Sequence, residues 1–283
     1  MSANFLSELV GSFAMPAAEN PTVASMEAAF RHHGLDWRYL NCEVPPDRLG
    51  AAVEGARAMG WAGFNCSIPH KVKMIEHIDE LGRSAEIIGA VNTMVRKGDK
   101  FIGENTDGRG FVESISARTS LPGKQAVMFG AGGAARAVAV ELALAGVANL
   151  LVVNRSAERG TRLVELLNAR TPTNAEYVRW DGPFHLPQGA DIVVNATSIG
   201  LFPDIDGQIN LDWSTLTPDM LVADGIHNPP NTHLIRTARD RGCEVLDGLG
   251  MLVNVCAICI DLWTGVKVEK QVMRDAVVNL NDA

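Results

Sequence analysis

What the sequence lacks sets the first limits. Aromatic residues make up only 6% of the chain, including just 2 tyrosines, which argues against an aromatic-packed β sandwich. Glycine is plentiful by contrast, at 27 residues, and favours α/β sheets joined by Gly-rich βα turns. No apolar run reaches the ~18 residues expected of a membrane span. The opening stretch MSANFLSELV has neither the basic start nor the long apolar core of a secretory signal. Basic residues are in deficit: 25 Lys and Arg against 33 Asp and Glu give a formal net charge of −8. A binder of nucleic-acid phosphates wants a basic surface, so neither nucleic acid nor membrane is expected as a partner. The 5 cysteines are an odd, scattered set, as expected of reduced thiols in the cytoplasm. His32, His33, His70 and His77 show no metal-binding spacing, so no metal is expected. Cys256 and Cys259 have the C-x-x-C spacing but lie in an apolar run without a second ligand pair. They read as core thiols.

What is present points to two α/β domains. A length of 283 residues allows about two domains at ~100–200 residues each. The first third alternates helical patterns (Met26 to His33, Leu49 to Met59) with short apolar runs (Trp37 to Val44, Ala62 to Ser67). That order predicts βαβ units and a largely parallel sheet. The rhythm restarts in the middle third. Strands are expected at Gln125 to Phe129, Asn149 to Val153, Asp191 to Asn195 and Met220 to Asp224, and helices at Ala134 to Ala145 and Ala157 to Ala169. Leu121-Pro122-Gly123-Lys124 punctuates the chain as a candidate junction. The apolar stretch Met251 to Trp263 reads as a buried helix packing back on the first domain.

Gly130-Ala131-Gly132-Gly133-Ala134-Ala135 fits G-x-G-x-x-(G/A) between an expected strand and an expected helix. The first glycine allows the tight turn, the second lets a pyrophosphate approach the backbone, and the small third residue lets helix and strand pack closely. The helix N-terminus offers N–H groups to phosphate. Alone, the same turn can serve as an unliganded βα connection. At the end of the next strand an NAD enzyme usually carries an acid for the ribose hydroxyls. Here stand Asn154-Arg155-Ser156 and Arg159. Two arginines at the positive end of a helix are unfavourable unless an anion joins them, so NADP, with its 2′-phosphate, is the expected cofactor.

Three polar clusters interrupt the first third: Asn65 to Lys71, Gly89 to Thr93, and Gly103 to Gly108. Hydride transfer from an alcohol carbon needs a group to take the hydroxyl proton. Lys71 with Asp107 could hold and shuttle it, while Asn65, Ser67 and Asn92 could bind a polyhydroxylated ligand. Read singly, each is more often a solvated surface or turn residue.

Together these stretches resemble the shikimate/quinate dehydrogenase family. The matching segments are Gly63 to Lys71, Ile88 to Thr93, Asn105 to Gly108, Gly130 to Ala135, Asn154 to Ser156, Asn195 to Gly200 and Asp247 to Val253, in the family's order along nearly the whole chain. The resemblance implies a substrate domain over residues 1–110, a Rossmann-type NADP domain over 111–246, and a segment 247–283 returning to the first domain. It implies interconversion of shikimate and its 3-dehydro ketone in aromatic amino acid biosynthesis, with Lys71 and Asp107 catalytic. Asn20, Asn65, Ser67, Asn92 and His227 would bind a small cyclic hydroxy acid. Gly130, Ala131, Gly132, Gly133, Ala134, Asn154, Arg155, Ser156, Arg159, Thr197, Gly225 and Gly248 would hold NADP. A cytoplasmic monomer or homodimer is expected.

The departures fall on the substrate side. Where the family carries Ser-x-Ser-Pro for the substrate carboxylate, this chain reads Ala18-Glu19-Asn20-Pro21. A family Tyr is His227, and a family Gln is Val255 beside Asn254. Thr22 or Ser25 could replace one hydroxyl. Each lost hydrogen bond to a charged ligand group costs ~1.5–3 kcal/mol, so alternatives stay open: quinate, an aminated or otherwise altered ring acid drawn by Glu19, or an NADP-binding sensor without turnover.

Overall fold

A computed structural model describes residues 5–281. The chain divides into two compact units, residues 1–106 with 255–283, and residues 107–254. The candidate junction at residues 121–124 lies inside the second unit, where the Gly123 N–H donates to the Gly146 carbonyl at 3.0 Å.

The first unit runs β1 (Glu8–Ala14), α1 (Thr22–His32), β2 (Trp37–Glu43), α2 (Leu49–Ala58), β3 (Gly63–Cys66), β4 (Glu80–Leu81), α3 (Arg83–Ile88), β5 (Thr93–Lys97) and β6 (Lys100–Glu104). Its sheet has the order β2-β1-β3-β5-β6-β4. The largely parallel arrangement expected from the sequence is here mixed: β5 runs antiparallel to β3 and to β6. The cause is local. Gly98 takes φ +62° in the two-residue link between Lys97 and Lys100, a backbone state open to glycine, and closes a hairpin. Aromatic rings stack in the unit's core. Phe13 stacks on Phe64 at 4.5 Å between ring centroids, and Phe64 meets Phe101 edge-on at 5.1 Å. Leu49, Val53, Met74 and Met94 complete this core, each fully buried side chain stabilising by about 1.5–3 kcal/mol.

The second unit carries α4 (Thr106–Ser116), whose first residue still belongs to the first unit, then β7 (Gln125–Phe129), α5 (Gly133–Leu144), β8 (Asn149–Asn154), α6 (Ala157–Arg170), β9 (Asn174–Arg179), β10 (Ile192–Asn195), β11 (Leu221–Asp224), α7 (His233–Asp240) and β12 (Glu244–Leu246). All five strand pairings are parallel, in the order β12-β11-β10-β7-β8-β9. Counted from β7, this is the 3-2-1-4-5-6 order of a dinucleotide-binding sheet, whose crevice opens where the order reverses, between β7 and β10. Ala135, Ala139 and Ala143 let α5 lie close on the sheet, all fully buried. On α6, a side chain at Gly160 would enter the Tyr177 ring, which a Cβ would approach to 2.2 Å.

The chain then continues through α8 (Gly248–Thr264), split between the two units, into α9 (Lys270–Asn281), which packs on α1 in the first unit. Cys256 and Cys259 are free and buried in α8, and burial pushes the Cys256 thiol well up. Among the described residues no helix is long and apolar enough to cross a membrane, and no three His, Cys, Asp or Glu side chains gather as a metal site.

Candidate functional site

In the second unit, the reversal of strand order falls on the glycine turn. Gly130 follows β7 with φ +114°, and a Cβ there would lie 2.7 Å from the Ala196 carbonyl after β10. Only glycine combines that φ with that approach. Gly132 and Gly133 differ: a Cβ on either meets nothing within 4 Å, both are exposed, and Gly132 caps the 12-residue α5. Open space above exposed N–H groups at a helix N-terminus suits a diphosphate.

A cavity of about 420 Å³ opens there. It is lined by Gly130, Ala131, Gly132, Gly133, Ala134, Asn154, Arg155, Arg159, Thr197, Gly225 and His227, with Trp180, Ala196, Ser198, Leu201 and Ile226 beside them. None of these is acidic. Ser156 stands just outside as the N-cap of α6, its hydroxyl accepting from the Arg159 N–H. The Asn154 amide donates to the Ser156 carbonyl at 2.9 Å, which fixes the strand-to-helix turn that presents Arg155. Gly248 lies behind the rim: a Cβ there would fall 2.4 Å from the Ile226 carbonyl, so its role is to let that segment pack.

The far rim is held by one buried carboxylate. Asp224, fully buried at the end of β11, accepts from Asn195 Nδ2 (2.9 Å), Thr232 Oγ1 (2.6 Å) and the Ile226 N–H (3.0 Å). Asn195 in turn accepts the Thr197 hydroxyl at 2.7 Å. Burial raises Asp224 to about 6, against the hydrogen bonds that pull it down. A second cavity of about 690 Å³ is lined by Gly132, Gly133, Arg136, Arg159 and Arg162, with Glu165. Burial, and then neighbouring Arg162, pull Arg136 below its usual range. Sequence reasoning passed over Arg136 and Arg162. The signal was present, since Arg162 lies three residues after Arg159, on the same helix face.

In the first unit, backbone pairing gathers the polar residues after β3. The Val91 N–H donates to the Lys71 carbonyl, and the Cys66 N–H to the Asn92 carbonyl, both at 2.9 Å. Asn65, Ser67, Lys71 and Asn92 therefore come to one end of the sheet. Lys71 and Ser67 are half-buried and Asn92 is buried. Asn92 Oδ1 accepts the Thr106 N–H at 2.7 Å, which fixes the start of α4 and so the backbone leading into Asp107. Asn65 Oδ1 accepts the Tyr39 hydroxyl at 3.0 Å, while its amide donates to Thr93 Oγ1 at 3.0 Å. Asn20 sits farther along the sheet, paired with Asn41 on β2 at 3.2 Å. Ser25 is fully buried in α1, so it supplies no replacement hydroxyl. Thr22 gives its N–H to Asn20 Oδ1 at 3.1 Å. Asp107 and His227 belong to the second unit.

Comparison with known proteins agrees with this arrangement. Residues 13–94 match the shikimate dehydrogenase substrate binding domain, and residues 113–202 match shikimate / quinate 5-dehydrogenase. A shikimate dehydrogenase (NADP(+)) of Desulforamulus reducens is 38% identical over 278 residues, covering 97% of this chain and 96% of that protein. The ligand-free 5-ketofructose reductase of Gluconobacter sp. strain CHM43 is 48% identical with a TM-score of 0.95, over 98% of this chain and 100% of that one. A shikimate 5-dehydrogenase of Thermus thermophilus, solved with NADP(H) and shikimate, is 29% identical with a TM-score of 0.82, over 96% and 99%.

Proposed function

The chain belongs to the shikimate/quinate dehydrogenase family, in which its curated relatives include shikimate dehydrogenases (NADP(+)), and from that premise we propose the following reaction and site. The protein interconverts a polyhydroxylated secondary alcohol and its ketone with NADP(H). Shikimate and 3-dehydroshikimate are the pair that its shikimate dehydrogenase relatives indicate. The observation that carries the reading is the coincidence of an open glycine turn with Arg155 and Arg159 around one cavity free of acids.

The residues fit the cofactor. Gly132 and Gly133 would receive the diphosphate, and Arg155 and Arg159 the 2′-phosphate, where a carboxylate would repel it. Thr197, Gly225 and His227 would border the remainder. NADP(H), when bound, supplies or accepts the hydride. The chain supplies the proton. Lys71 gives a proton to the ketone oxygen in reduction and takes the hydroxyl proton in oxidation, and Asp107 is assigned as the second catalytic group. Asn65, Ser67 and Asn92 hold hydroxyls of the substrate. The first unit thus serves the substrate and the second the cofactor. We assign the reaction to the cytoplasm, on the odd set of 5 free thiols, and to a monomer or homodimer.

A second substrate is favoured by a specific observation. The relative that reduces 5-ketofructose is 48% identical, and this chain lacks the Ser-x-Ser expected to hold a ring carboxylate. Such a ketone carries hydroxyls and no carboxylate. Oxidation of NADPH by purified protein, followed with 3-dehydroshikimate, 3-dehydroquinate and 5-keto-D-fructose, tests the reading. Turnover of at least one is expected. NADPH bound without turnover on any of them would instead identify a sensor.

A further inference from the structure

Across the first sheet, side chains on paired strands form a polar row. Asn41 is in register with Ser12, Ser12 with Asn65, and Asn65 with Thr93. Laterally paired residues share one face of a sheet, so the row lies on a single face. At its open end Asn41 and Asn20 interlock: Asn41 Nδ2 donates to the Asn20 carbonyl at 3.0 Å, and Asn20 Nδ2 donates to Asn41 Oδ1 at 3.2 Å. Both residues are partly exposed. An amide has two N–H groups and two lone pairs on its oxygen. Within this pair each nitrogen has used one N–H.

A carboxylate stands beside this pair. Glu43, two residues after Asn41 on β2 and so on the same face, is exposed and accepts the Ala17 N–H at 3.1 Å. That bond pins a negative charge beside residues 18–20. A carboxylate ligand only accepts hydrogen bonds. Here it could accept from the amides' remaining N–H groups but would lie beside the Glu43 carboxylate. A hydroxyl both donates and accepts, which matches what the amides offer.

We propose that the interlocked Asn20–Asn41 pair is the specificity-determining element of the substrate site. It reads hydroxyl groups, so the preferred ligand is an uncharged polyhydroxylated ketone rather than a ring acid. The proposal rests on the hydride-transfer reading above, and deepens it by naming the ligand class and Asn41 as its reader. Glu43 acts through the backbone of residues 17–20 as a positioning residue and excludes anions.

The test uses the full chain, NADPH, and two probes, 5-keto-D-fructose and 3-dehydroshikimate. In the wild type kcat/KM is expected to be at least about tenfold higher for the neutral ketone. Asn41→Ala raises KM for that ketone about tenfold, with kcat changed less than about threefold, as expected when uniform binding is removed. Asn41→Ser, which keeps a neutral donor and acceptor, recovers part of the loss. The double variant A18S/N20S moves the kcat/KM ratio about tenfold towards 3-dehydroshikimate. A kcat within about threefold of wild type reports that the first unit folds in each variant, and unchanged NADPH binding, measured by fluorescence, that the second does. An unchanged KM in Asn41→Ala overturns the proposal, as does a wild-type ratio at or below one. A wild type that turns over 3-dehydroquinate alone overturns this proposal only, whereas one that binds NADPH and turns over none of the three ketones overturns the hydride-transfer reading itself, and this proposal with it.

Discussion

The two units prepare for a ligand in opposite ways. The second keeps its backbone bare. Gly132 and Gly133 have empty space where side chains would be, and Arg155 and Arg159 stand exposed beside them. The first unit fills the corresponding place with amides and hydroxyls that already bond to one another: Asn20 to Asn41, Tyr39 to Asn65, and Asn92 to Thr106. The difference follows from the ligand chemistry. A diphosphate asks for N–H groups and positive charge, which a helix end and two arginines supply. A substrate is recognised by where its hydroxyls are, so its side chains must be held in fixed directions, and each one is a place where specificity can shift.

That contrast is broken most strongly at Lys71. If the first unit holds the reacting proton, Lys71→Ala lowers kcat by ~10²–10⁴-fold while NADPH affinity, a property of the second unit, stays as it was. Stopped-flow turnover and a fluorescence titration on the same preparation measure both. Loss of cofactor binding in this variant would mean that the two tasks are not divided as drawn.

Asp224 comes next, because it holds the second unit's rim rather than its phosphate end. Asp224→Ala leaves Asn195, Thr232 and the Ile226 N–H without their acceptor. At about 1–3 kcal/mol for each buried group left unsatisfied, the three together should cost at least about 3 kcal/mol of stability. Its titration adds a pH signature. The folded protein holds this proton to about pH 6, while an unfolded chain releases it near 4. Between those values the native state binds more proton than the unfolded one. The side chain's contribution to stability is therefore full at the acid end and falls as pH rises through about 6. The difference in Tm between wild type and Asp224→Asn, measured from pH 4 to 7, should change sign or slope across this window. A pH-independent difference would place the proton elsewhere.

The second unit was also the more legible of the two. Gln125–Phe129 is a strand as expected, and α6 spans Ala157–Arg170 where Ala157 to Ala169 was expected. Its buried parallel strands are short apolar runs between glycine turns, and that pattern is a local one. The first unit hid more. β1 escaped notice because Gly11 and Ser12 interrupt its apolar pattern. The structure explains the glycine: a Cβ at Gly11 would lie 2.3 Å from the Leu40 carbonyl. The β5–β6 hairpin turns on Gly98 alone. Lys71, Asn65 and Asn92 were singled out by their motifs, yet Asn41 was not. Its role depends on register with Ser12 and on a partner 21 residues away, and neither is visible in a local pattern. Asp224 was missed for the same reason: its partners at Asn195 and Thr232 are distant in sequence.

Charge in the second unit should be separable from the fold. Arg155 lies exposed on the cavity wall, so Arg155→Ala should leave Tm unchanged and weaken NADPH about 10–100-fold, with NADH nearly unaffected. This is one to two charge-assisted contacts with phosphate at ~1.5–3 kcal/mol each, reduced by solvent exposure. The ratio of Kd values for the two cofactors, taken at two salt concentrations, gives the result directly. Added salt should shrink the wild-type preference and leave the variant's small one unmoved.

The smallest effect is expected at Arg162. It is exposed on α6 and shares the larger cavity with Arg159 and Arg136. Three guanidiniums around one space raise the local positive potential, and Arg162 already makes charging of Arg136 less favourable. An anion bound near Arg159 relieves that repulsion, so Arg162 should favour the phosphorylated cofactor through the field rather than through a contact. At surface exposure such a contribution is about 0.2–1 kcal/mol, a change of up to about fivefold in NADPH affinity. Arg162→Gln should then weaken NADPH by that small factor at low salt and by nothing measurable at high salt, with NADH unchanged throughout. A loss as large as that of Arg155→Ala, persisting at high salt, would show instead that Arg162 touches the phosphate. The cofactor would then reach into the larger cavity, and the division between a contact-making Arg155 and a field-making Arg162 would have to be redrawn.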